Sequence, residues 1–235
     1  MTVQQIMTEL EKLGSPATKK VLLQHGIREP FFGVKVGDMK PIQKKIKMDY
    51  QLAKDLYATG NADAQYLAGL IADDAKMSKA DLQIWVKQAL SNNISEYTVP
   101  WVAAGSPHGY ELAREWIDSS KEHISAAGWS TLANLVALQP NENLDLPGLK
   151  ALLARAVKDI HSAPNRTRYT MNNFVICLGA YVQPLSAEAI AAGKKIGPVT
   201  IDMGGTACKV PLAVEYIQKA IDRGSLTKKK KTVKC

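Results

Sequence analysis

Cysteine is scarce in this chain: Cys177, Cys208 and Cys235 are three among 235 residues. The number is odd and the spacing fits no metal site, which argues against a disulfide framework and suits a reducing compartment. The four histidines, His25, His108, His123 and His161, also lack metal-ligand spacing, so no metal is expected. No apolar run approaches the length that crosses a bilayer, and no membrane partner is expected. Met1 to Gly14 reads as an amphipathic helix (Val3, Ile6, Met7, Leu10, Leu13) without the parts of a signal peptide. Gly204-Gly205-Thr206 lacks the Lys-Ser/Thr pair of a phosphate-binding loop, and no serine stands in a nucleophile elbow. No cofactor is implied, and a cytoplasmic monomer is the expectation.

What is present is a train of short amphipathic helices. Helix starts are expected at Ser15-Pro16, Asp38, Asn61, Ser78, Ser106-Pro107, Ser186 and Pro211, and left-handed stops at Gly14, Gly26, Gly60 and Gly224. Helix pairs about 40 residues apart follow the HEAT/armadillo cadence. The fold class expected is therefore all-α, a single right-handed HEAT-like solenoid over residues 1–224. Two interruptions stand out. Residues 27–37 form a loop with two exposed or half-buried phenylalanines. Residues 198–210 read as an inserted β-hairpin, with Val199, Thr200 and Ile201 extended and Gly204-Gly205 reversing the chain. Net charge is +8, and Lys228, Lys229, Lys230, Lys231 and Lys234 supply much of the surplus. Residues 225–235 are expected to be a disordered tail, either simply solubilising or adding salt-dependent phosphate contact.

Three places could carry chemistry. Lys40, Lys44 and Lys47 share one helix face, with Lys35 and Lys45 nearby: an ordinary charged face, or a phosphate-tracking stripe. Arg166, Arg168, Tyr169 and Asn173 sit at the start of the helix near 166–182, where Arg166, Tyr169 and Asn173 share a polar sector. Charge, stacking and amide hydrogen bonds together suit a nucleic-acid surface, though any polar helix face could look so. In NISEYTVPW, Pro100 should bend its helix and free the Glu96 carbonyl, clustering Glu96, Tyr97 and Trp101 there. Glu96 could stabilise a cationic transition state, or be a surface glutamate beside a buried tryptophan. Trp85, Trp116 and Trp129 read as core.

FFGVKVGDMKPIQKKIK, SEYTVPW and REWIDSSKEHISAAGW together make the chain resemble the HEAT-like-repeat DNA alkylation repair family, over roughly residues 16–222. The resemblance implies a curl of helical repeats holding DNA in a basic concave groove. In the glycosylases of that family a carboxylate before a Val-Pro pair stabilises the sugar as an alkylated purine leaves, and Glu96 matches it. The two flanking tryptophans fall here at Asn92 and Phe174, and an arginine of the neighbouring helix at Ala126, departures that count against base excision. Other members are similar to binders of branched DNA and carry an inserted hairpin, whose counterpart here would present Lys209 to a groove or junction, or simply cap the last repeat. The implied partner is duplex, alkylated or branched DNA, with a nucleoid-associated location in a bacterium. The alternatives are an alkylpurine glycosylase acting through Glu96 and a protein-interaction scaffold.

Overall fold

A computed structural model gives the fold and describes residues 1–235, apart from the side chain of Thr227. Among the described residues thirteen α-helices follow one another: α1 (Val3–Leu13), α2 (Pro16–Gln24), α3 (Val36–Ile46), α4 (Tyr50–Ala58), α5 (Ala62–Ile71), α6 (Lys79–Gln88), α7 (Val99–Gly105), α8 (Gly109–Trp116), α9 (Glu122–Leu138), α10 (Leu146–Asp159), α11 (Asn165–Tyr181), α12 (Ser186–Ile196) and α13 (Ala213–Asp222). Capping chemistry sets many of the starts. Ser15, Asp49, Asn61, Ser78 and Asp145 each accept a first-turn N–H through the side chain, and Thr2 with Gln5 forms a capping box. The start expected at Asp38 moves back to Val36, with Asp38 in the first turn. Those expected at Ser106-Pro107 and Pro211 move on to Gly109 and Ala213. Gly26, Gly60 and Gly224 are left-handed as expected, with φ of 78°, 70° and 78°. Gly14 is not: its φ is −66°, and its missing side chain instead makes room for Phe32, whose carbonyl oxygen would lie 2.5 Å from a Cβ.

The core falls into two clusters, one running from Ile6 to Ala127 and the other from Ala113 to Ile217. Helices α5 and α7 are buried along almost their whole length and α9 and α11 along most of theirs, and the α9–α11 contact is the most extensive between any two helices. Trp85, Trp116 and Trp129 are core residues, 3%, 1% and 1% exposed. Of the two loop phenylalanines Phe31 is buried and Phe32 half-buried. The loop is pinned by Asp63 of α5, whose carboxylate accepts the backbone N–H groups of Phe32, Gly33 and Val34 at 2.6, 3.0 and 3.3 Å.

No strand forms among the described residues, so the expected hairpin at 198–210 is corrected to an irregular loop. The reversal itself is present, with Gly204 and Gly205 at φ of 68° and 72°. The flanking residues do not pair because their apolar side chains serve as anchors: Val199 is buried in the second cluster, and Ile201 and Val210 pack against it. Asn165 then holds the loop through its side chain, donating to Asp202 O at 2.9 Å and accepting from Asp202 N at 2.7 Å. The lysine-rich end makes contacts with the helices. Lys230 N donates to Ala137 O at 2.8 Å, and Val233 packs on the first cluster.

Candidate functional site

Pro100 shapes the site's first wall. Lacking an N–H, it shifts the hydrogen-bond ladder, and residues Ile94–Thr98 become a π-helical turn leading straight into α7. The wider turn sends Glu96 inward, to 2% side-chain exposure, and leaves Tyr97 42% exposed. Glu96 meets Arg166 from the first turn of α11. The guanidinium Nε and Nη2 donate to the two carboxylate oxygens, each at 2.6 Å, in a bidentate pair. Burial raises the Glu96 pKa, against the pull of Arg166. Burial opposes the charge on Arg166 too, but its bonds to Glu96 prevail and raise its pKa. The guanidinium also lies over the Tyr169 ring, 4.6 Å from its centre, and Glu122 accepts the Arg166 backbone N–H at 2.7 Å. Nη1 is left with a long contact to Met203 Sδ at 3.7 Å.

The pair faces a cavity of about 490 Å³ that includes Tyr66, Tyr97, Tyr169, His25 and Asn92 in its lining. Gly204 and Cys208 of the 197–212 loop close one side, and Cys235 reaches it from another. Tyr66 and Tyr97 lean on Trp101, with ring centres 5.4 and 6.1 Å away. The remaining acidic groups of the lining are engaged: Asp63 by the loop described above and Asp202 by the Gly204 N–H at 2.8 Å. Among the described residues no cluster of three or more metal-ligating side chains is present.

The structure brings only some of the expected residues together. Glu96, Arg166 and Tyr169 share the cavity. Trp101 does not present a ring to solvent, since it is 3% exposed and serves as the backing of the tyrosines. Lys40 reaches the cavity's edge by donating to the Cys235 backbone oxygen. Lys44 is exposed on α3, and Lys35 and Lys47 are exposed at its two caps, where the left-handed φ of 66° at Lys47 takes that residue off the helix face expected for it; all three lie outside the lining, as do the exposed Asn173 and Lys209. Arg168 is half-buried, and its Nε is buried without a partner. The positions matching the family's aromatic and arginine residues are filled otherwise. Asn92 Nδ2 donates to His25 O at 3.1 Å, Phe174 is fully buried beside Trp129, and Ala126 is fully buried. Sequence reasoning passed over Asp63, Tyr66 and Asn165. Asp63 carried one legible signal, a carboxylate in the first turn of a helix capped by Asn61.

A helical stack with an inward carboxylate held at a proline-induced turn defines the class, an all-α helical-repeat protein with a buried ion pair on the wall of a cavity. Residues 6–208 match the sequence model of the family described as DNA alkylation repair enzyme, and the chain belongs to that family. Uncharacterised proteins of Listeria innocua and Listeria monocytogenes are 34% and 33% identical to it over 229 residues, covering 95% of this chain and 99% of each relative. A solved structure described as a new family of proteins related to the HEAT-like repeat DNA glycosylases, with affinity for branched DNA structures, matches over the whole of both chains. Its identity to this chain is 38% and its TM-score 0.90. The fold is thus HEAT-like.

Proposed function

We propose that the protein binds branched or distorted DNA through the rim of this cavity and does not excise bases. The observation that carries the reading is the Glu96–Arg166 pair. A carboxylate stabilises a cationic sugar through an uncompensated charge aimed at it in a water-poor site. Here a guanidinium 2.6 Å away cancels that field and would itself repel the cation. Cation–π grip on a methylated purine is absent at the matching positions, because Asn92 has no ring and Phe174 is in the core. What remains suits binding: the Tyr97 and Tyr169 rings for stacking on unpaired bases, and lysines on α3 for phosphates. The relative with affinity for branched DNA supports the choice of ligand.

The test is a gel-shift comparison of a four-way junction with linear duplex at low salt, beside an assay for 7-methylguanine and 3-methyladenine release from alkylated DNA. The expected outcome is preferential junction binding with no base release. Absence of binding to both DNAs would sink the proposal, and base release that disappears in Glu96→Gln would replace it with the glycosylase reading.

A further inference from the structure

Six of the thirteen helices, α2, α4, α5, α7, α9 and α11, end without a basic residue in the last turn. The inner helices α5, α9 and α11 are three of these. The last carbonyls of a helix have no partner within it and carry partial negative charge, so cations gather there. The lysine-rich end supplies those cations from outside. Lys229 Nζ donates to Val136 O of α9 at 2.8 Å and to Tyr181 O of α11 at 2.7 Å. Lys234 Nζ donates to Ala72 O, just past α5, at 3.0 Å and to Asp74 at 2.6 Å. The chain then reaches the cavity, where Cys235 joins the lining and takes a hydrogen bond from Lys40.

From this arrangement we infer that the ends of α5, α9 and α11 form a docking rim for an extended lysine-rich segment, that residues 228–235 occupy it as a releasable strap, and that the docked strap competes with DNA for the cavity. The competing step rests on the proposed DNA binding; the docking does not. Both anchors sit in partly dehydrated surroundings. Burial lowers the Lys229 pKa to about 8, and burial raises that of Asp74 to about 6 against the pull of Lys234. Docking therefore desolvates charge, which keeps it weak enough to reverse. Release frees Lys40 and returns two ammonium groups to solvent, where phosphate can take them.

Two charge-matched variants of the full chain separate obstruction from simple attraction. Lys229→Gln/Lys234→Gln removes the anchors; Lys228→Gln/Lys231→Gln removes two exposed lysines and leaves the anchors in place. A strap docked in about nine molecules of ten lowers apparent affinity roughly tenfold, so the first variant should bind a four-way junction more tightly by about that factor. The second should bind equally or more weakly. Asp74→Asn, which releases Lys234 without removing a lysine, should also tighten binding. Hydrogen exchange at the Lys230 amide gives a readout that needs no DNA: slow exchange in the unaltered chain, fast in Lys229→Gln/Lys234→Gln. Fast exchange in the unaltered chain would overturn the docking, and anchor variants that bind the junction as weakly as the charge-matched control would overturn the competition. If neither the unaltered chain nor any variant bound DNA, the proposed function and the competition would both fail, and the exchange result would still decide the docking.

Discussion

Truncating Arg166 to alanine would leave Glu96 at 2% side-chain exposure with no counter-charge. Removing one member of a buried ion pair costs about 3 kcal/mol, most of it the stranded charge rather than the lost attraction. Arg166→Ala should therefore lower stability in urea by about that amount. Glu96→Gln/Arg166→Met should recover most of the loss, since it removes both charges and keeps similar volume. A double variant no more stable than Arg166→Ala would show that the guanidinium acts through its contact with the Tyr169 ring instead. At this scale the site was partly legible. Glu96 and Arg166 each stood out, one by its place before Val99-Pro100 and one by its helix face. Their pairing across 70 residues leaves no trace in local spacing, so a carboxylate that looked free is in fact neutralised.

Between elements, an interaction that couples stability to pH joins α4 to α6. Asp81 closes the capping box of α6 with Ser78 and also receives Tyr50 Oη at 2.7 Å and Lys54 Nζ at 2.8 Å from α4. Burial opposes its ionisation, but hydrogen bonds from Lys54, Ser78 and Tyr50 outweigh that and bring its pKa down to about 2. An unfolded aspartate titrates near ~3.9. The folded state therefore gains stability above pH ~4, and loses it as pH falls through about 2. Acid unfolding of Asp81→Asn should lack this component, worth about 2 kcal/mol, and its stability should vary less between pH 4 and pH 2. An unchanged acid profile would remove Asp81 from that role. Element types were legible from caps and periodicity, and the break at Pro100 was too. The hairpin was not, because Val199, Ile201 and Val210 satisfy an extended pattern equally well by anchoring in the core. The contacts of the lysine-rich end left no local trace for a related reason. A lysine run reads as solvated until the uncapped carbonyls of three distant helices are placed beside it.

For the whole molecule, charge placement decides how DNA would be met. Lys44 is exposed on α3 and Lys47 just past its end, whereas Lys45, also exposed, borders a shallow groove with Gln4 and Thr8 of α1. If α3 tracks phosphates with its lysine stripe, exchanging Lys44 and Lys47 for glutamate removes two phosphate contacts and installs two repulsive charges. Each lost contact makes the dependence of log affinity on log salt shallower by about one, so the slope should fall by about two. Affinity should drop by the same factor for junction and duplex, because phosphate contacts do not read shape or sequence. Lys45→Glu serves as the control: it reverses one charge of the same helix on the α1 side and should leave the slope nearly unchanged. Equal losses from Lys45→Glu and either single change at Lys44 or Lys47 would mean that net charge, not the stripe, drives binding. The α3 lysines would then belong to the general field of the protein rather than to a contact surface.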